Sequence, residues 1–181
     1  MIDEIMEYNR KFVEDKGYEP YLTSKYPDKK LAILTCMDTR LLELLPAALG
    51  IKNGDAKIIK NAGGVIVHPY GSVVRSLLVG ILELGVEEVM VIGHTDCGVQ
   101  GMDGSEMLDM LVERGIDQQH IDIVRHSGIN LERWLGGFES VESSVHETVR
   151  RLKEHPLMPK DVRISGFIMD SATGELTRVE E

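Results

Sequence analysis

The stretch Leu31-Ala-Ile-Leu-Thr35 is short, continuous and apolar, and the polar motif Cys36-Met-Asp-Thr-Arg40 follows it directly. Such a run predicts a strand buried on both faces, as in a parallel sheet. A second run of this type, Val89-Met-Val-Ile-Gly93, is followed by His94-Thr-Asp-Cys97. Ligands of open α/β sheets bind at the carboxyl ends of strands, so both motifs are expected in one pocket if the two strands are neighbours.

The remaining chain alternates strand-like and helix-like segments. Further strands are predicted at 56–60, 162–169 and 175–179, and helices at 2–15, 41–49, 72–84, 105–114, 117–135 and 141–154. This alternation predicts an α/β fold: a mostly parallel central sheet of about four strands, flanked by helices, with an N-terminal helical arm. The loop 170–174 suits a hairpin, so the last strand is expected to be an antiparallel edge.

Length and charge narrow the class of protein. The 181 residues predict a single domain over 1–181, with 1–30 as an arm and loop. A formal charge of -10 argues against nucleic acid, because binding phosphates needs clustered Lys and Arg. No apolar run approaches the ~20 residues of a membrane span, so no membrane association is expected. The N-terminus lacks the features of a signal peptide, and the expected compartment is the cytoplasm.

The chain has two cysteines, Cys36 and Cys97, and each lies in one of the two polar motifs. Thiols stay reduced in the cytoplasm, where a pair of cysteines more often binds metal or takes part in catalysis than forms a disulfide. Two thiolates and the imidazole of His94 are three ligands, the number typical of a catalytic zinc that keeps its fourth position open.

These motifs resemble the two signatures of the β-class carbonic anhydrases, Cys-x-Asp-x-Arg and His-x-x-Cys. The Asn61-Ala-Gly turn of that family is also present, and the resemblance runs from about residue 30 to residue 170. It implies a Zn²⁺ ion held by Cys36, His94 and Cys97. It also implies reversible hydration of CO2 to bicarbonate and a proton by zinc-bound hydroxide.

The resemblance assigns catalytic roles to Asp38 and Arg40, which form a dyad. Asp38 is expected to orient the hydroxide, and Arg40 to keep Asp38 ionised by pairing with it. Because some family members rest with this aspartate on zinc, Asp38 is also a candidate fourth ligand in a closed state. Backbone amides near Gly63 are weaker candidates for binding the substrate, and Asp96 is expected to cap the following turn.

Two other functions are compatible with the same motifs. Relatives of this family hydrolyse carbon disulfide or carbonyl sulfide, which are linear triatomic molecules like CO2, so the metal motif does not distinguish them. A non-catalytic zinc protein is the other alternative, although a structural site normally has four Cys or His ligands. The resemblance further implies a homodimer or a higher homo-oligomer, with residues 2–15 embracing a partner copy.

Overall fold

A computed structural model describes residues 1–179 of the chain as an α/β structure around one five-stranded sheet. Residues 180 and 181, which the expected domain range includes, lie outside the described residues. The strands are β1 (Leu31–Cys36), β2 (Ala56–Asn61), β3 (Glu88–His94), β4 (Arg163–Met169) and β5 (Leu176–Arg178).

The strand order across the sheet is β2-β1-β3-β4-β5. The first three pairings are parallel, and β5 pairs antiparallel with β4, as the hairpin loop predicted. The predicted α/β class, with four parallel strands and an antiparallel edge, is therefore confirmed. The chain runs from β1 to β2 in one direction and then crosses back to β3, so strand order reverses beside β1.

The sheet has an apolar core on each face because side chains of a strand alternate between faces. On one face, Leu34 and Val91 belong to a cluster that also contains Leu77 and Leu152. On the other face, the core is smaller, and its buried members are Ile33, Cys36, Leu41, Leu45, Ile92, Cys97 and Met169. Both cysteines thus pack at the end of the second core.

Residues 1–179 contain seven α-helices besides the sheet. They are α1 (Ile2–Glu14), α2 (Leu44–Ala48), α3 (Ser72–Leu84), α4 (Gly104–Glu113), α5 (Gln118–His126), α6 (Leu131–Leu135) and α7 (Val141–Lys153). The helix α3 has the predicted bounds and ends at Gly85, whose φ of 75° is the left-handed conformation that glycine favours.

Two helical predictions need correction. The segment 41–49 divides into a 3-10 turn, Thr39–Leu41, and α2, where Pro46 lies in the first turn and so displaces no intrahelical hydrogen bond. The segment 117–135 divides into α5 and α6. Gly128 has a φ of 91° between them, and the side chain of Asn130 accepts a hydrogen bond from the Arg133 amide at 2.8 Å, which starts a new helix.

The helix α1 differs from the others because it contains no buried residue. Its apolar side chains at Ile2, Ile5 and Met6 are 78, 61 and 55% exposed. This helix therefore lies outside both cores, as an N-terminal arm. Among residues 1–179, no helix is long and apolar enough to cross a membrane.

Candidate metal centre

The strand order brings the two polar motifs to one edge of the sheet. Cys36 is the last residue of β1 and His94 the last of β3, and these strands are parallel neighbours. Asn61, the last residue of β2, is the register partner of Cys36 on the other side. Three carboxyl ends of strands therefore meet where strand order reverses, the position at which open α/β sheets bind ligands.

Cys36, His94 and Cys97 each point one ligand atom into a common site, with all of these atoms within 4.8 Å of one another. All three residues are buried. The two sulfur atoms are 3.9 Å apart. Two zinc–sulfur bonds of about 2.3 Å at a tetrahedral angle place sulfurs about 3.8 Å apart, so the observed separation fits a tetrahedral ion.

The imidazole of His94 is oriented for metal binding. Its Nδ1 lies 2.9 Å from the carbonyl oxygen of Thr95, and since a carbonyl only accepts, Nδ1 carries the proton. The Nε2 atom then presents a lone pair to the cysteines. Among the described residues, Nε2 is the buried side-chain nitrogen or oxygen that has no hydrogen-bond partner. A metal ion would satisfy this atom, and the carbonyl of Thr95 would fix the ring as second-shell acceptors do.

The two thiols have different electrostatic surroundings. Burial raises the pKa of Cys36. Contacts with the His94 side chain and with the backbone N–H groups of Asp38 and Gly63 lower that pKa by more than burial raises it, to about 7. Burial raises the pKa of Cys97, and the neighbouring Cys36 adds to that rise. Backbone amides thus favour a thiolate at Cys36, the form that binds metals.

Asp38 and Arg40 form a two-pronged ion pair beside these ligands. Arg40 donates from Nε to Oδ1 of Asp38 at 3.0 Å, and from a terminal nitrogen to Oδ2 at 2.8 Å. These bonds hold the pKa of Asp38 far below its usual range, so its carboxylate is ionised at neutral pH. Its Oδ2 lies 3.9 Å from Nε2 of His94, at the edge of the candidate metal site.

Asp96 has a different contact from the one predicted. Its carboxylate accepts a hydrogen bond from Arg40 at 2.8 Å, and its carbonyl oxygen accepts a second at 2.8 Å. The expected cap on the following turn is therefore wrong. The sequence offered one signal for this pairing, since Asp96 lies within the His94-Thr-Asp-Cys97 motif, but sequence spacing does not show that two strand ends meet.

The turn after β2 packs closely against the backbone of β1. The Asn61 side chain closes the turn by bonding the backbone of Val65 in both directions, at 2.7 and 3.0 Å. Gly64 has a φ of 66°, and a Cβ added to it would lie 2.9 Å from the carbonyl carbon of Thr35. Only glycine fits there, because both the conformation and the contact exclude a side chain.

The family follows from comparison with known proteins. Residues 31–176 match the family model described as carbonic anhydrase. The crystal structure of β-carbonic anhydrase isoform I from Trichomonas vaginalis superposes with a TM-score of 0.88 at 34% identity, covering 99% of this chain and 97% of that one. The chain therefore belongs to the β-carbonic anhydrase family of enzymes, as its motifs predicted.

Two curated relatives of this chain carry different names. The chain is 52% identical over 172 residues to YvdA of Bacillus subtilis (strain 168), a protein whose name describes it provisionally as a carbonic anhydrase. That match covers 95% of this chain and 87% of YvdA. It is also 31% identical over 158 residues to a carbon disulfide hydrolase of Acidithiobacillus thiooxidans, covering 82% of this chain and 76% of that protein. Similarity of sequence thus reaches enzymes named for two different substrates.

Proposed function

We propose that this protein catalyses the reversible hydration of CO2 to bicarbonate and a proton, with Zn²⁺ held by Cys36, His94 and Cys97. The observation that carries the proposal is the convergence of three buried ligand atoms within 4.8 Å, beside an ionised carboxylate. A zinc ion bound there supplies a Lewis acid that lowers the pKa of a water molecule. Three protein ligands leave the fourth tetrahedral position for chemistry.

Asp38 is the proposed catalytic acceptor. An ionised carboxylate only accepts hydrogen bonds, so Asp38 can take the O–H of the attacking water and aim its lone pair at the carbon of CO2. Arg40 occupies both oxygens of this carboxylate and keeps it charged. Asp38 has a 16% exposed side chain, so it reaches the solvent edge of the site without being fully hydrated.

The remaining ligand contacts set the charge of the site. Two thiolates offset the charge of a dication, so we expect the attacking water to have a pKa above the ~7 of a zinc site with three histidines.

We also propose that Gly63 contacts the substrate. A Cβ built on it would lie 3.0 Å from Phe138 and 3.3 Å from Val99, so it adjoins an apolar wall suited to CO2.

We further propose that the protein acts as a homo-oligomer, at least a dimer. The accessible surface of the chain is 12026 Å², whereas a compact monomer of its 20.2 kDa exposes about 8,800 Å². The excess is roughly 3,000 Å² per chain, or about 6,000 Å² for a pair of chains, and obligate interfaces bury totals that reach about 5,000 Å² and more. The unburied helix α1 contributes to this excess, which supports its role as an arm on a second copy.

The direct test is stopped-flow CO2 hydration by zinc-quantified protein at pH 7 and pH 8.5. We expect activity that rises with pH, because the proposed water is less acidic than that of a three-histidine site. The variant Asp38→Asn keeps the shape of the side chain but removes its charge, and it should lose most of the activity while retaining zinc. A protein with one zinc per chain and no activity at either pH would overturn the proposal.

Hydrolysis of carbon disulfide is the second candidate function, favoured by the 31% identical relative that is named for it. Carbon disulfide is linear and apolar like CO2, and the same Asp38 could orient the attacking water toward it. Parallel assays on one zinc-loaded preparation, of CO2 hydration and of sulfide release from carbon disulfide, separate the two functions. Sulfide release without CO2 hydration would replace the first proposal by the second.

A further inference from the structure

The guanidinium of Arg40 joins two ends of strands. It binds both oxygens of Asp38, which follows β1, and both the carboxylate and the carbonyl oxygen of Asp96, which follows β3. Its side chain is 40% exposed, so water competes for the same donors. Asp96 therefore provides the second anchor of a side chain whose first anchor is the proposed catalytic carboxylate.

The backbone of Asp96 is held in an unusual conformation. Its φ is 53°, in the left-handed region that Asp and Asn tolerate better than other side chains but less well than glycine. The residue lies between His94 and Cys97, and its carboxylate is 84% exposed. In this conformation the carbonyl and carboxylate oxygens of Asp96 both accept hydrogen bonds from Arg40, which ties the strained residue to the Asp38–Arg40 pair.

We propose that Asp96 is a positioning residue that holds Arg40 against Asp38 and thereby keeps the Asp38 carboxylate off the metal. This inference rests on the metal site of the proposed function. Oδ2 of Asp38 lies 3.9 Å from Nε2 of His94, so a small rotation brings it within reach of an ion that His94 binds. The carboxylate then has two competing partners, the guanidinium and the metal.

Removing one anchor of Arg40 shifts that competition toward the metal. The carboxylate of Asp96 is largely solvated, and exposed ion pairs contribute modestly, so the expected effect is about two- to fivefold. A ligand that needs the open metal position binds more weakly in proportion to the fraction of molecules that keep it open. The carbonyl contact of Asp96 survives any substitution, which also limits the effect.

The test uses the cobalt-substituted holoenzyme and azide as the probe, with the visible spectrum of cobalt reporting binding. Asp96→Gly relieves the backbone and removes the carboxylate. It should weaken azide binding per cobalt about two- to fivefold and lower kcat/KM for CO2 by a similar factor. Asp96→Asn keeps the left-handed preference and a neutral acceptor, and it should restore part of the loss.

Lys16→Gly is the matched control. Lys16 follows α1 and also has a left-handed φ, of 56°, and its substitution should change neither azide binding nor kcat/KM.

A double-mutant cycle shows whether Asp96 acts through Arg40. In an Arg40→Ala background, Asp96→Gly should have no further effect on azide binding, because the shared partner is gone. Unchanged azide affinity in Asp96→Gly, or an equal loss in both backgrounds, would overturn the inference. Because azide binding is measured without CO2, a protein that shows the expected cycle but no hydration refutes the proposed function alone. A chain that binds no cobalt overturns both.

Discussion

The carboxyl ends of β1 and β3 and the N-terminal helix α1 differ in where their side chains find partners. At the strand ends, Cys36, His94 and Cys97 are at most 6% exposed, and Arg40 bridges both ends. In α1, no residue is buried although the helix has an apolar stripe. The side chains of the first region find their partners within their own chain, and we propose that a metal completes it, whereas we propose that a second copy of the chain covers the helix.

The strand ends and the helix α1 have to meet different physical requirements. Buried ligands must be held rigidly, because a tetrahedral ion tolerates little variation in distance. An apolar stripe on an arm only needs a surface that removes it from water, and in the proposed oligomer a second copy of the chain would provide that surface. Mutations at the strand ends should therefore change activity and unfolding of the chain itself, and mutations in α1 should change assembly.

The largest effect is expected from removing a metal ligand. Cys97→Ser replaces a thiolate by a hydroxyl that stays protonated at neutral pH, so zinc affinity and CO2 hydration should fall by at least about 100-fold. Zinc content by mass spectrometry and stopped-flow hydration measure the two losses. Met37→Leu, at a 63% exposed position next to Cys36, is the control. A Cys97→Ser protein with full zinc and activity would contradict the proposed ligand set.

A smaller effect, on stability, is expected from the turn that supports Cys36. Gly64→Ala combines a left-handed φ of 66° with a Cβ placed 2.9 Å from backbone, and it should lower the free energy of unfolding by about 2–4 kcal/mol. Gly50→Ala is matched in conformation, with a φ of 62°, but nothing lies within 4 Å of its Cβ. It should cost only about 1–2 kcal/mol. Urea denaturation compares the two, and equal losses would show that the close approach to β1 is unimportant.

The smallest effect on the chain's own stability is expected in the arm. Ile5→Glu places a charge in the apolar stripe of α1, and sedimentation at fixed protein concentration should show dissociation toward monomer. The free energy of unfolding of the monomer should change by less than about 0.5 kcal/mol, because the side chain is 61% exposed. Lys11→Gln makes the same change in net charge on the opposite side of the helix and should leave assembly intact. A wild-type protein that already sediments as a monomer would show that the apolar stripe of α1 does not mediate assembly.

Much of the site was predictable because its chemistry is local in sequence. The motifs Cys36-Met-Asp-Thr-Arg40 and His94-Thr-Asp-Cys97 place the candidate metal-binding side chains and their polar partners a few residues apart at the ends of apolar runs. The carboxyl ends of such strands are where open α/β sheets bind ligands. The sheet class followed from the same runs. Helix 72–84 was predicted with its observed bounds because a glycine with a left-handed φ ends it.

The wrong predictions fall where the hydrophobic periodicity is weak or where the partner of a side chain is distant in the sequence. Pro46 lies in the first turn of α2, where a proline loses no hydrogen bond, and the sequence pattern alone does not distinguish that position from the middle of a helix. The segment 117–135 has too little periodicity to reveal its break near Gly128. Asp96 was misjudged because its partner, Arg40, lies 56 residues away in sequence, and only the pairing of β1 with β3 brings them together.

The sequence by itself predicted the α/β class, two short motifs that carry two thiols and one imidazole, and the Asp38–Arg40 pair, because each motif and each strand-like run is local in the chain. Only the tertiary structure decided that the sulfurs lie 3.9 Å apart, that Nε2 of His94 is the atom presented to them, and that Asp96 anchors Arg40. These facts depend on strand order and register, which are set by packing both faces of the sheet at once and not by any single segment.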